Sequence, residues 1–458
     1  MRNFWLLSLF VLFVSAGVFL YMKRPMYIQL SKNKQLSGWT IVIPGITGDL
    51  AKRKLIPALY RLYKKGMQGI IIGTGRRDAN ITDILRESKK FVEAFDDHIW
   101  NQFSHMIVYH KLDPSKSSDF KTLADGINQQ ESARNLLGKR LIYLSLPADV
   151  FCQTTRLLVG NNIIAPHKSH YILYEKPFGW DLASAQEINK CITSLLPDKQ
   201  IYRVDHYVAK GLTQSLAYLS GTNFLFDQAW HGKGIDSVSV LFHETLGIEE
   251  RGAFYDRYGA IKDVMQNHML QLLAFFALNI SSAKTPGERA HQKALFLNSL
   301  SVQSVRRGQY EGYLAEKDVA SHSKTETYAA VMLASSDPRW KGVQFILETG
   351  KALAKKKTEL VVTFRPIQQY CQNQLIVQFA PKELLSLRLN GLMGKNFDLA
   401  AGSFEYPEAY EALLADVLTE KLDYSVSFEE VEAQWRVVDG IISTVSKVSV
   451  YPKGGMVK

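Results

Sequence analysis

Residues 39–51 read WTIVIPGITGDLA. The uncharged, β-branched run Trp39–Pro44 predicts a buried strand. Gly45, Thr47, Gly48, Asp49 and Leu50 follow, and a helical pattern then runs through Tyr63. Strand, glycine turn and helix in that order can cradle a pyrophosphate. Glycine lets the backbone approach the phosphates, and the helix start offers unpaired N–H groups and positive potential. The spacing is GxxGxxA rather than GxGxxG, so a tight turn with no ligand would use the same residues.

Downstream, Gly69–Gly73 (GIIIG) predicts a second strand, ending in Thr74-Gly75-Arg76-Arg77. An acid near this strand end would suit the ribose hydroxyls of NAD. Arginine there favours the 2′-phosphate of NADP, and Arg76 is the residue so placed. Leu141–Leu146 and Tyr171–Tyr174 are further buried strands, the latter leading into Glu175-Lys176-Pro177. Strands alternating with helices to about residue 200 predict an α/β, Rossmann-like dinucleotide-binding domain over 37–202. From Ser237 onward strand-like runs dominate (SVSVLFHE, KTELVVTF, QLIVQF), and 203–458 is assigned to a second, α+β domain.

At 458 residues the chain is long enough for two domains. With 46% apolar and 22% charged residues it is neither disordered nor collagen-like. Its net charge of +11 suits anionic ligands. Residues 4–22 (FWLLSLFVLFVSAGVFLYM) carry no charge and approach the ~20 residues that span a bilayer. Arg2, Lys23, Arg24, Lys32 and Lys34 flank them and supply five of the eleven net charges, leaving the remainder at +6. The charge bias puts the following chain on the cytoplasmic side of a membrane. A membrane anchor within residues 1–36, a secretory signal cleaved near Val14-Ser15-Ala16, and a start assigned upstream of Met26 all fit this pattern. Cys152, Cys191 and Cys371 are too few and too widely spaced for a disulfide framework or a CxxC metal site, which points to a reducing compartment and no metal.

Several segments, in order, resemble the glucose-6-phosphate dehydrogenase family. They are GITGDLAKRKLIPAL from Gly45, YLSLP from Tyr143, EKPFGWDL from Glu175, RVDHYVAKG from Arg203, ERGAFYDRYGAIKDVMQNHMLQ from Glu250, TETYAA from Thr325 and RWKGVQFILETGKAL from Arg339. A weaker tail match, AYEALLADVL and AQWRVV, reaches Val438. The resemblance implies a Rossmann-like domain followed by a domain built on a large, mostly antiparallel sheet, with the active site between them. It implies oxidation of glucose 6-phosphate to 6-phosphoglucono-1,5-lactone with hydride transfer to NADP, NAD being the weaker alternative. It also implies a homodimer or homotetramer.

That chemistry needs a base for the C1 hydroxyl proton, a nicotinamide facing C1, and a cationic pocket for the 6-phosphate. By resemblance, His268 is the base and Asp205 its partner, the carboxylate fixing the imidazole tautomer. His206, Tyr207 and Lys210 carry over to substrate binding at the phosphate. Lys176 carries over to the bridge between substrate and cofactor, with a cis bond to Pro177. Glu244 and Asp263 match acceptors of sugar hydroxyls. Lys351 matches a further substrate contact, and Lys356 stands where many members have Arg. Gly45, Thr47, Gly48, Asp49 and Leu50 map to the pyrophosphate loop, Arg76 to the 2′-phosphate and Tyr143 to the cofactor-side strand end.

Gly211, Ala209, Lys262, Ala253, Ala380 and Glu348 depart from the family pattern. Gly211 removes an acid beside the phosphate lysine. Losing one hydrogen bond to a charged group costs about 1.5–3 kcal/mol, so weakened substrate affinity is expected. Glu348 and Gln378 argue against a second, structural NADP. The competing reading is a catalytically weak, membrane-tethered nucleotide-binding relative acting as a sensor or scaffold. Nucleic-acid binding has little support, since no basic patch with interleaved aromatics occurs outside the Lys355-Lys356-Lys357 run.

Overall fold

The computed structural model describes residues 36–368, 372–390, 396–401, 404–455 and 457. The apolar stretch 4–22 and Cys371 lie outside the described residues. Among those described, no helix is long and apolar enough to cross a membrane.

Six parallel strands form the first sheet: β1 (Ser37–Pro44), β2 (Gln68–Gly75), β3 (Ile107–Lys111), β4 (Lys139–Leu144), β5 (His170–Tyr174) and β6 (Ile201–Arg203). Their order is β3-β2-β1-β4-β5-β6. Direction reverses at β1, whose neighbours β2 and β4 diverge, and the crevice beyond its carboxyl end is where such sheets bind ligands. Buried residues alternate across β1: Trp39, Ile41 and Ile43 join one core, while Val42 joins the other. A strand covered on both faces needs an apolar run rather than an alternating one, which is what 39–44 supplies.

The second sheet has nine strands: β7 (Ile235–His243), β8 (Leu300–Tyr310), β9 (Tyr328–Ser335), β10 (Gln344–Gly350), β11 (Lys357–Phe364), β12 (Gln374–Ala380), β13 (Leu384–Asn390), β14 (Asn396–Ala401) and β15 (Val448–Tyr451). Their order is β14-β13-β12-β11-β7-β10-β9-β8-β15, with only the β7/β10 and β8/β15 pairs parallel. Helical residues Ile261–Ala277 and the helices Pro286–Asn298 and Phe428–Ser443 contribute Met265, Leu273, Phe296 and Trp435 to the larger core.

The helix Ala409–Leu418 folds back onto the first lobe. It shares a core with Ile56–Lys64, Glu411 pairs with Arg61 and Lys65, and Asp416 accepts from the Tyr202 hydroxyl at 3.0 Å.

One expectation from the sequence is corrected. Cys152 and Cys191 form a disulfide, their Cα atoms 5.9 Å apart. They lie on the helices Phe151–Gly160 and Leu182–Thr193, which pack together on either side of β5 in sequence. Linear spacing carries no sign of a contact made through a crossover, so the argument for reduced thiols fails for this pair.

Candidate active site

At the carboxyl end of β1, Gly45 has φ +90°, and a Cβ there would lie 2.6 Å from the Ser145 carbonyl oxygen. Only glycine fits that approach. The Gly45 and Ile46 amides donate to Thr74 O at 2.9 and 3.2 Å, which pins the turn to β2. The helix then begins at Asp49, and Thr47, Gly48 and Asp49 are exposed. A helix start behind an open glycine loop fits a pyrophosphate. Arg76 is exposed at the end of β2 and makes no ion pair among the described residues. The Tyr143 side chain is placed differently from this group. Its ring is buried in the core and its hydroxyl donates to Glu175, so only its backbone reaches the strand end. Glu175 is itself buried, and burial raises its pKa.

Between the lobes, His268 Nδ1 lies 2.6 Å from Asp205 Oδ1, with both side chains about 95% buried (5% and 4% exposed). The same oxygen accepts the Tyr207 amide at 2.9 Å. Burial lowers the His268 pKa, opposed by the Asp205 charge. An imidazole bonded through Nδ1 and kept neutral has Nε2 available as a proton acceptor. His206 packs edge-on to His268 with ring centroids 4.5 Å apart, and Tyr410 stacks on His206 at 5.4 Å. Burial, reinforced by His268, Lys176, Lys210 and Lys54, holds His206 well below the usual imidazole range, and its Nδ1 has no partner among the described residues. Lys210 lies over the Tyr207 ring at 5.2 Å and 3.8 Å from Glu383, its pKa lowered by burial.

Lys176, joined to Pro177 by a cis bond, donates to both Asp263 O (3.0 Å) and Asp263 Oδ1 (3.1 Å). Burial alone would raise the Asp263 pKa. The charges of Lys176, Arg251 and Lys351 overcome it and hold the carboxyl at about 2. Lys351 in turn donates to both Glu244 oxygens at 2.9 Å. Lys356 is exposed and stands outside this network.

Asp263 and His268 lie on one continuous helical stretch, but Ile261–Met269 is π-helical and only Leu270–Ala277 is α-helical. Gly259 (φ +65°) kinks the chain before it, and Glu326 caps the start by accepting the Ile261 amide at 3.0 Å.

Two family models match successive parts of the chain: "Glucose-6-phosphate dehydrogenase, NAD binding domain" over 42–215 and the C-terminal domain of the same enzyme over 218–457. The chain belongs to the glucose-6-phosphate dehydrogenase family. Glucose-6-phosphate 1-dehydrogenase of Chlamydia muridarum is 31% identical over 89% of this chain and 90% of the relative. That of Bacillus subtilis is 31% identical over 90% and 93%. A solved glucose-6-phosphate dehydrogenase in complex with glucose 6-phosphate superposes with TM-score 0.83 at 29% identity, covering 92% of this chain and 96% of that one. The Mycobacterium avium enzyme superposes with TM-score 0.81 at 29% identity, over 91% and 94%.

Family membership did not bring out Tyr410, Arg251, Glu383 or Glu175 from the sequence. Tyr410, Arg251 and Glu175 lie inside family segments of the sequence, but the motifs carry no sign of their roles. Glu383, which approaches Lys210 from the start of β13, has no motif around it.

Proposed function

We propose that the chain acts as a glucose-6-phosphate 1-dehydrogenase, oxidising C1 of glucose 6-phosphate to the 1,5-lactone. The observation that carries the reading is the buried His268–Asp205 pair at 2.6 Å, between an open glycine loop and a cluster of cations.

His268 Nε2 takes the C1 hydroxyl proton, and the Asp205 carboxylate stabilises the imidazolium that forms. Bound NADP supplies the hydride acceptor for C1. The Gly45–Leu50 loop holds its pyrophosphate and Arg76 its 2′-phosphate. His206, Tyr207 and Lys210 bind the 6-phosphate, with the His206 Nδ1 and the Lys210 ammonium as donors. Lys176, already fixed on Asp263, orients the sugar from the cofactor side. Asp263 and Glu244 accept sugar hydroxyls, and Asp263 stays ionised because three cations hold its proton affinity down. Lys351 positions Glu244, and Lys356 meets the substrate from the open side.

The flanking charges around residues 4–22 support a catalytic part on the cytoplasmic side, anchored through that segment, and a homologue 30% identical is a "cytoplasmic isoform" from Solanum tuberosum. A homodimer or homotetramer is the assembly proposed, with the exposed Phe397 and Leu399 of β14 available to an interface.

The test is His268→Asn, assayed by nicotinamide absorbance with glucose 6-phosphate and NADP. Turnover should be abolished while substrate binding survives. Normal turnover at saturation with lost binding would contradict the role of His268.

A further inference from the structure

Beside Asp205 lies a cavity of about 20 Å³ whose lining includes Glu175, Arg203, Asp205, Asn267 and Gln434. Three of its polar atoms are shielded from solvent with no hydrogen-bond partner among the described residues: Asp205 Oδ2, Arg203 Nε and Gln434 Nε2. One is a carboxylate oxygen and two are N–H donors, yet none bonds another directly.

An ionised oxygen buried without a donor is costly, and buried polar groups are almost always satisfied. Here the volume decides how. A cavity needs roughly 10–15 Å³ to hold one water, and a buried water makes two to four hydrogen bonds. This one is large enough for a single water and would offer it one acceptor and two donors.

We infer that one ordered water occupies this cavity, bonded to Asp205 Oδ2, Arg203 Nε and Gln434 Nε2, and that Gln434 acts through it as a positioning residue for the catalytic carboxylate. The inference rests on the reading of Asp205 and His268 as the proton-accepting pair. Asp205 Oδ1 is fixed by His268 and by the Tyr207 amide, so the water supplies the bond that fixes the second oxygen and sets the rotation of the carboxylate. Both donors are rigidly held. The Arg203 guanidinium lies over Phe178 and Phe428 (5.4 and 5.5 Å) and donates to Asn189 and Asp198 at 2.6 and 3.0 Å. Gln434 is on Phe428–Ser443, a helix closed by a Ser427/Glu430 capping box and tied down by the Trp435 indole, which donates to Phe178 O at 2.9 Å. A distant helix of the second lobe thereby reaches the reacting base.

The test has two arms. Gln434→Met keeps the shape and removes both the donor and the acceptor. It should lower kcat about 2- to 10-fold, as expected for one lost bond to a neutral water, with KM for glucose 6-phosphate within about twofold. A merely structural role would lower the melting temperature and leave kcat per folded molecule unchanged. The second arm is a high-resolution crystal structure of the unaltered protein, which should place one water within hydrogen-bond distance of Asp205 Oδ2. An unchanged kcat in a folded Gln434→Met, or a cavity without ordered solvent, overturns the inference. The crystal arm decides even where the variant does not fold. Failure of the underlying reading is separate and appears as an active His268→Asn.

Discussion

Replacing Asp205 by Asn separates two contributions that a carboxylate makes to a histidine base: charge and tautomer. Where an Asp→Asn change also flips the tautomer, kcat falls about 10⁴-fold. The flip is not expected here, because Asp205 Oδ1 accepts from both His268 Nδ1 (2.6 Å) and the Tyr207 amide (2.9 Å). Two donors converging there force the amide oxygen into that position and the amide nitrogen toward the cavity. The proton therefore stays on Nδ1, and only the charge is lost. Opposite charges about 4 Å apart at an effective dielectric of about 20 attract by about 4 kcal/mol, an upper bound because the amide dipole retains part of it. A loss of 2.7–4 kcal/mol corresponds to roughly 10²–10³ in kcat. Steady-state turnover of Asp205→Asn should fall by that factor, with KM for glucose 6-phosphate little changed. The sign of the pH effect is also fixed. The Asp205 charge raises the His268 pKa against burial, so removing it lets that pKa fall. The acidic limb of kcat/KM should move to lower pH. A fall of less than tenfold, or a limb moving to higher pH, would refute the reasoning.

Further outcomes follow from other sites. Arg76→Ala should raise KM for NADP by tenfold or more and leave KM for NAD nearly unchanged, measured with both dinucleotides; equal effects would remove Arg76 from the 2′-phosphate. Gly45→Ala places a Cβ 2.6 Å from Ser145 O at a positive φ, and should cost about 2 kcal/mol or more of stability by chemical denaturation. Asp416 is buried, and burial raises its pKa to about 6, above that of the unfolded chain. The folded state binds that proton more tightly, so the stabilisation is complete in acid and lost as pH rises through about 6. Asp416→Asn, still able to accept from Tyr202 and Tyr424, should therefore raise the melting temperature at pH 8 on the order of a few degrees and leave it nearly unchanged at about pH 3, below the ordinary carboxylate pKa. Restoring an acid with Gly211→Glu should lower stability without improving affinity, because its Cβ would meet the Tyr406 ring at 2.1 Å; a lower KM in a stable variant would contradict that.

The parts of the fold legible in the sequence are those made by local chemistry. A charge-free β-branched run followed by glycines and a helix can do little except what residues 37–64 do. β3 and β6 escaped notice for the same reason in reverse: IVYHK carries His and Lys, and IYR is three residues long. Gly211 shows a different limit. Read alone, it is a lost acceptor. In the fold it is the space that Tyr406 fills, with the Tyr406 hydroxyl 2.9 Å from Ser215. The Cys152–Cys191 bond and the Arg203–Gln434 cavity are likewise products of elements distant in sequence.

The stretch IKDVMQNHM shows most clearly why a correct motif does not give a correct geometry. Its apolar residues read as an ordinary helix, continuous with the α-helix that follows. On an α-helix, residues five apart differ by roughly 140° in direction, so Asp263 and His268 would face different surroundings. With i→i+5 bonding, positions five apart come instead toward one face, and such π segments recur at functional sites. The altered pattern leaves backbone groups for side chains to bond, and Asn267 takes up part of them. Its side-chain amide donates to Lys262 O and Asp263 O, and its carbonyl oxygen accepts the His268 amide at 2.8 Å. Lys176 completes the arrangement from the other lobe by bonding the Asp263 carbonyl as well as its carboxylate. Asn267 in MQNH is thus explained as a support for the π turn on which the acid and the base share a face. Composition and apolar periodicity cannot express that requirement, because both are blind to which helical hydrogen bonds the side chains have replaced.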